Sequence, residues 1–149
     1  MISGVIVTPL RRIQDERGCI FHMLKKEDPH FKDFGEIYFS EIYPNAIKGW
    51  HNHTKMTLNY ACVVGKIKLV LYDGRPESET YQEIQEVYIS DHNYSLVTVP
   101  PGVWNGFKAV GNERALVANC TTHSHDSEEI QRMDPLRSNI PYNWDLKHG

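Results

Sequence analysis

Two histidines, His51 and His53, stand one residue apart in a stretch that begins at Lys48. The stretch, Lys48-Gly49-Trp50-His51-Asn52-His53, indicates a β-strand, in which side chains two residues apart share a face. We therefore expect both imidazoles to point the same way, either into a β-sandwich or toward solvent. Imidazole titrates near neutral pH and also binds metals, so this pair predicts either proton transfer or metal ligation.

A second segment of interest lies about fifty residues further on, at Pro100-Pro101-Gly102-Val103-Trp104-Asn105-Gly106-Phe107. Its residues indicate the end of one strand, a tight Pro-Gly turn and the start of the next strand. Together the two segments resemble the two characteristic segments of a small β-barrel of the cupin type.

Most of the chain consists of short runs of β-forming residues, many of them alternating apolar with polar, separated by turn residues. Glu36 to Tyr43 and Glu83 to Ser90 alternate in this way, and Asp73-Gly74 is typical of a turn. About ten such runs predict an all-β sandwich or barrel. Only Asp126 to Met133 has helical character, so we expect one short C-terminal helix. The polar tail, Asn139 to Gly149, contains Tyr142 and Trp144 and is expected to pack against the barrel.

Composition limits the possible functions. The chain has 149 residues, a net charge of −3 and a pI near 6.2, which suits a single domain, residues 1–149, and provides no basic excess for nucleic-acid binding. No apolar run approaches the roughly 18 residues needed to cross a bilayer, and the N-terminal residues lack the pattern of a signal peptide. Three widely spaced cysteines favour free thiols in a reducing, cytoplasmic environment.

Further motifs, taken in chain order, carry a family resemblance. They are Asp15-Glu16-Arg17-Gly18, Lys48-Gly49-Trp50-His51, Gly65 before a long strand, Asp73-Gly74-Arg75 with Ser78 and Thr80, the Pro100 to Phe107 segment, Asp134-Pro135 and Ile140-Pro141-Tyr142-Asn143-Trp144. Their order and spacing, from about Thr8 to Trp144, resemble the dTDP-4-dehydrorhamnose 3,5-epimerases.

The resemblance implies a double-stranded β-helix of the cupin or jelly-roll type, a homodimer, and neither metal nor other cofactor. It also implies epimerisation at carbons beside the ketone of a nucleotide-linked 4-keto-deoxy sugar, in the biosynthesis of surface polysaccharides. In such a reaction a base removes the proton next to the C4 carbonyl, a cation supports the enolate, and an acid returns a proton to the opposite face.

The resemblance also implies roles for individual residues. His51 aligns with the catalytic base, and a base that titrates near neutrality suits the task. Lys48 stands where the family usually has arginine and is expected to support the enolate or a phosphate, without the bidentate fork of a guanidinium. Arg17 aligns with an arginine that reaches in from the partner subunit to hold the nucleotide diphosphate.

Several positions depart from the family. The strand from Ala115 to Thr121 lacks the tyrosine proposed as the general acid, and Asn105 replaces a histidine. The acidic residue that orients the base belongs to a C-terminal extension, for which this chain is too short. A tyrosine from another strand is therefore expected to act as the acid. Three are candidates, of which we select the first: Tyr60, Tyr72 and Tyr38.

A polar lining is expected around the base, because buried polar groups in a barrel must be paired. We assign substrate binding to the residues that we expect to form it: Arg17, His53, Asn59, Tyr72, Asn105 and Asn119.

Three other functions remain open. A metal cupin would use His51 and His53, but its glutamate falls among Met56, Thr57 and Leu58, and two imidazoles alone make a poor site. A sugar ketoisomerase of the same fold would use both histidines for two proton transfers. A non-catalytic cupin that binds a sugar nucleotide would explain the missing acid.

Overall fold

The computed structural model describes all 149 residues and contains twelve β-strands and no helix. The strands are β1 (Ile6–Pro9), β2 (Arg12–Asp15), β3 (Gly18–Phe21), β4 (Glu36–Ile42), β5 (Ile47–His53), β6 (Leu58–Val64), β7 (Lys66–Asp73), β8 (Ile84–Ser90), β9 (Ser95–Val99), β10 (Val103–Ala109), β11 (Ala115–Thr121) and β12 (Ile130–Arg132). The all-β prediction is confirmed. No helix is long and apolar enough to span a membrane.

Two five-stranded sheets form a sandwich, and β2 and β3 form a separate hairpin. The first sheet has the order β1-β9-β6-β11-β4, and the second has the order β12-β5-β10-β7-β8. All strand pairs are antiparallel. β5 lies beside the edge strand β12 of its own sheet, and its Lys48 reaches the edge strand β4 of the first sheet.

The predicted C-terminal helix at Asp126 to Met133 is wrong. A turn closes with a hydrogen bond from the Glu129 N–H to the Asp126 carbonyl at 3.2 Å, and β12 then pairs with the free edge of β5. Ile130 lies opposite His53 and Arg132 lies opposite His51. Because the open edge of β5 satisfies the backbone groups of this segment, tertiary pairing overrides a weak local helix preference.

Apolar residues on the inner faces of both sheets form the main core between them. Members from the first sheet include Leu58, Tyr60 and Cys62, and members from the second include Leu69 and Leu71. Their spacing of two residues follows from the alternation of strand side chains. Burial of this apolar surface is the main force that holds the two sheets together.

The outer face of the second sheet has its own apolar layer, which the C-terminal tail covers. Trp50, Val70, Ile140 and Trp144 are buried there, and the rings of Trp50 and Trp144 lie 5.1 Å apart. The tail thus packs against the barrel, as the sequence predicts, and its aromatic residues make the contact. Trp50 points away from the main core, so its neighbour His51 points toward the inside of the sandwich.

An irregularity in the pairing of β5 with β10 determines which side chains face inward. His51 lies opposite Asn105, and Lys48 lies opposite Phe107, so two residues of β5 between these pairs match one residue of β10. Such a bulge adds one residue to a strand and changes which face the following side chains take. Because of it, Lys48 and His51 both face inward although they are three residues apart.

Candidate active site

A polar cluster lies on the inner faces of β5, β10, β6, β11 and β4. His51 is half-buried in it, and the side chain of Asn105 donates from Nδ2 to the His51 carbonyl at 3.1 Å. His53 follows two residues later on the same face and is buried. The prediction that the two imidazoles share a face is therefore confirmed by the structure.

Tyr60 is fixed against Asn105 within this cluster. Its hydroxyl donates to Asn105 Oδ1 at 2.9 Å, and its side chain is almost completely buried. Burial, with a smaller contribution from the nearby Tyr38, raises the pKa of Tyr60 well above its usual value. Tyr60 therefore holds its proton tightly and uses it to position Asn105.

A second phenol, Tyr38, lies at the solvent side of the cluster on the edge strand β4. Its hydroxyl accepts a hydrogen bond from Asn119 Nδ2 at 2.8 Å, and the residue is 42% exposed. Burial of the ring raises the pKa of Tyr38, although the hydrogen bond from Asn119 opposes this effect. Asn119 also accepts the backbone N–H of Asn59 at 3.1 Å, which fixes its amide orientation.

Lys48 extends from the second sheet to the edge of the first. Its Nζ donates to Ser40 Oγ at 2.8 Å and to the Glu41 carbonyl at 2.6 Å, and both partners belong to β4. Neither acceptor is a carboxylate, so the charge of the ammonium remains available to an anionic ligand. Lys48 is exposed, so a ligand that arrives from solvent can reach it.

Glu129, a residue for which the sequence suggested no role, binds His53. One carboxylate oxygen pairs with His53 Nδ1, and the other accepts the backbone N–H groups of Lys55 and Met56 at 3.1 Å each. Burial acts to raise the pKa of Glu129, but these hydrogen bonds outweigh it and lower the pKa. Because Glu129 occupies Nδ1 of His53, Nε2 is the ring nitrogen that can form a hydrogen bond with a ligand.

His51 differs from His53 in its surroundings. Burial, followed by the positive charges of Arg132 and His53, lowers the pKa of His51 from 6.5 to about 4. No carboxylate binds its ring, and no hydrogen bond within the chain engages its side-chain nitrogens. A neutral imidazole with a free lone pair is the form that accepts a proton.

This difference predicts an unusual pH dependence. We expect proton abstraction by His51 to stay constant from pH 8 to pH 5 and to fall only as the pH approaches about 4, the pKa of His51. The unfolded chain, with an ordinary histidine pKa, binds the proton at higher pH, so stability from this group decreases as the pH falls from 6.5 to about 4. A pH profile of kcat/KM checks this, and a midpoint near 6.5 would contradict the assignment.

The other predicted site residues lie outside the polar cluster. Tyr72 packs on the outer face of the second sheet, in the layer under the C-terminal tail. Asn59 is buried on the outer side of β6, where it binds Thr98 Oγ1 at 2.8 Å and the Cys120 carbonyl at 3.0 Å. Arg17 is exposed at the tip of the β2–β3 hairpin and pairs with Asp15 at 2.6 Å.

The described side chains form no group of three or more His, Cys, Asp or Glu residues that could hold a metal ion. The cluster instead supplies a neutral imidazole, an ammonium group, an imidazole–carboxylate pair, two phenols and two amides. This fold and this set of groups define a small β-sandwich enzyme suited to moving protons on a polar ligand.

Comparison with known proteins agrees with that class. Residues 1–148 match the family described as dTDP-4-dehydrorhamnose 3,5-epimerase, and the chain belongs to this family. It is therefore an isomerase of the epimerase type.

Relatives and solved structures extend the comparison. The chain is 32% identical over 143 residues to the probable low-salt glycan biosynthesis epimerase Agl13 of Haloferax volcanii, covering 95% of this chain and 88% of that protein. It is 30% identical to the spore coat polysaccharide biosynthesis protein SpsL of Bacillus subtilis, covering 99% of each. A dTDP sugar isomerase from Desulfovibrio desulfuricans superposes with a TM-score of 0.93 at 43% identity, covering 96% of this chain and 92% of that chain.

Proposed function

We propose that the chain inverts a carbon beside the ketone of a nucleotide-linked 4-keto-deoxy sugar, during the synthesis of a surface polysaccharide. The family match supports the reaction type. The names of the archaeal and bacterial relatives, one a glycan epimerase and the other a spore coat polysaccharide protein, support the pathway class. The 43% identical dTDP sugar isomerase supports a nucleotide-linked substrate.

The observation that carries the proposal is the placement of Lys48 and His51 on one inner face of β5. A ketone acidifies the neighbouring C–H bond, and the neutral imidazole of His51 takes that proton. The electron pair moves to the carbonyl oxygen, and the ammonium of Lys48 stabilises the resulting enolate. Return of a proton to the opposite face of the carbon completes the inversion.

Tyr38 is the group that we propose to return the proton. It lies on β4 of the first sheet, whereas His51 lies on β5 of the second, so the two approach a ligand in the polar cluster from opposite sides. Burial raises the pKa of Tyr38, so its hydroxyl carries a proton at neutral pH. His53, fixed by Glu129 beside His51, is proposed to bind the substrate. Tyr60 fits the acid role less well, because its hydroxyl is buried and bonded to Asn105.

We also propose that Asn105 and Asn119 line the sugar site and that Arg17 binds the diphosphate of the nucleotide in a homodimer. Exposure of Arg17 at a hairpin tip supports contact with a second copy. Its neighbour Asp15 already pairs with the guanidinium, so the phosphate must compete with that carboxylate. A cytoplasmic location suits a sugar-nucleotide substrate. No cofactor is required for the proposed proton transfers.

Exchange of solvent deuterium tests the proposal. The protein is incubated in D2O with a dTDP-linked 4-keto-6-deoxy sugar, and the sugar carbons are followed by NMR. We expect deuterium at a carbon beside the ketone, together with a new stereoisomer. Absence of exchange with dTDP-, GDP- and CDP-linked substrates would instead leave a protein that binds sugar nucleotides without catalysis.

A ketoisomerase is the second candidate, and the shared face of His51 and His53 favours it. Two imidazoles on one side of a sugar can remove a proton at C3 and deliver one at C4, which moves the ketone rather than inverting a carbon. The same NMR experiment separates the two, because the ketone carbon remains C4 after epimerisation and becomes C3 after ketoisomerisation.

A further inference from the structure

A cleft of about 470 Å³ opens on the outer face of the second sheet, opposite the face that carries His51. It lies between the ends of β7, β8 and β10 and the C-terminal tail. Three lysines, two aromatic rings and one carboxylate line it: Lys68, Lys108 and Lys147, Tyr88 and Trp144, and Asp145.

Lys68 is the unusual member of this cleft. The residue is only 7% exposed, yet its ammonium has neither a salt bridge nor a hydrogen bond within the chain. Its nearest stabilising contacts are the faces of Tyr142 and Trp144, whose ring centres lie 5.1 and 5.8 Å from Nζ. The ammonium itself reaches the cleft, and partial loss of water around a cation that has no direct ion pair is costly, a cost that cation–π contacts offset only in part.

The neighbouring charges act in both directions, because Glu86 stabilises the charged form of Lys68 while Lys108 and Lys147 oppose it. Lys68 lies directly opposite Lys108 on the adjacent strand, and like charges in that position destabilise a sheet. Lys108 donates to the Trp144 carbonyl at 3.0 Å and has no carboxylate partner. Glu86, on the adjacent strand β8, already accepts hydrogen bonds from the Tyr142 hydroxyl at 2.7 Å and from Lys147 Nζ at 3.4 Å. Burial, the largest influence, lowers the pKa of Lys68.

We propose that this cleft is a second binding site, for a phosphate-type anion that is free or carried on a small organic molecule, with Lys68 and Lys108 as its charged contacts. The anion places a negative charge between two facing ammonium groups, so it relieves their repulsion and gives both lysines a direct ion-pair partner. The site is independent of the proposed epimerase site, because the second sheet separates the two.

Thermal unfolding in inorganic phosphate tests the site. We expect the Tm of the wild-type chain to rise with phosphate concentration, relative to chloride at equal ionic strength, because a ligand that binds only the folded state stabilises it. Lys68→Met should weaken phosphate binding by about tenfold or more, since a charge-assisted contact is lost. Lys66→Met, which changes an exposed lysine of the same strand, should leave the effect intact.

Further measurements identify where the phosphate binds and whether the ligand is a free anion or a phosphate ester. Lys48→Met, which alters the epimerase site, should keep the rise of Tm with phosphate. If this variant loses the rise, the anion binds in the epimerase site and the proposal is overturned. If glycerol 3-phosphate binds more tightly than inorganic phosphate, the ligand is a phosphate ester. If the two bind equally, the ligand is the free anion. In wild-type protein, phosphate should also slow acylation of the Lys68 amine but not of Lys66. No Tm rise beyond chloride, or no protection of Lys68, overturns the proposal.

Discussion

His51→Asn is expected to reduce deuterium exchange beside the substrate ketone by about 10²–10⁴-fold, the usual contribution of a positioned general base. Asparagine is similar in size and still polar, but it cannot accept a proton at neutral pH. The His51 backbone carbonyl that binds Asn105 remains in place, so the surrounding network should persist. Exchange is measured by NMR under single-turnover conditions, so that slow product release does not hide the chemical step.

A matched control is His92→Asn. His92 is an exposed histidine near the end of β8, and its loss should leave exchange at the wild-type rate. Circular dichroism of both variants shows whether the fold is retained. If His51→Asn exchanges deuterium as fast as wild type, His51 is not the base, and the proton must be removed by another group, with His53 the first candidate.

Glu129→Gln should affect both catalysis and stability. The carboxylate serves one donor on His53 and two backbone donors, whereas an amide has only one acceptor oxygen. If that oxygen stays with the backbone N–H groups, the amide N–H2 faces His53 and forces the proton of the ring from Nδ1 to Nε2. We expect exchange to fall about tenfold, because an oriented hydrogen bond between His53 and the substrate is lost, and the free energy of unfolding to fall by about 1–3 kcal/mol.

The tautomer provides a measurement that a purely structural role would not change. Nitrogen-15 chemical shifts of His53 should report a protonated Nδ1 in the wild type and a protonated Nε2 in Glu129→Gln. Glu128→Gln is the control, because Glu128 is exposed and its neutral analogue should change neither the shifts nor the rate. A Glu129→Gln variant that loses stability but retains full exchange would limit Glu129 to holding the loop.

Much of the fold was accessible from the sequence, because a period of two residues is a direct consequence of strand geometry. The shared face of His51 and His53 followed from that period alone. The same rule would place Lys48 and His51, three residues apart, on opposite faces. The bulge against β10 puts them on one face, and a bulge depends on pairing with a strand more than fifty residues away.

Other features of the site depended on which face a strand buries, and alternation alone does not determine that. Tyr72 and Asn59 were expected in the site, and both lie on outer faces, one under the C-terminal tail and the other between neighbouring strands. Glu129 was missed because its segment is polar and has a local helix preference. Only the open edge of β5, a property of the assembled sheet, makes that segment a strand and brings Glu129 to His53.

The strand order of the first sheet has a consequence for folding kinetics. No two neighbours in the order β1-β9-β6-β11-β4 are consecutive in the chain, so each pairing must close a long loop before it gains any stabilising contact. Domains with such non-local pairing fold slowly, typically in milliseconds to seconds. The candidate site draws residues from strands that span most of the chain, β4 to β12, and therefore forms only when nearly the entire topology is complete. A nascent or partly folded chain would thus have no catalytic activity, and the return of activity during refolding would mark the last step of assembly.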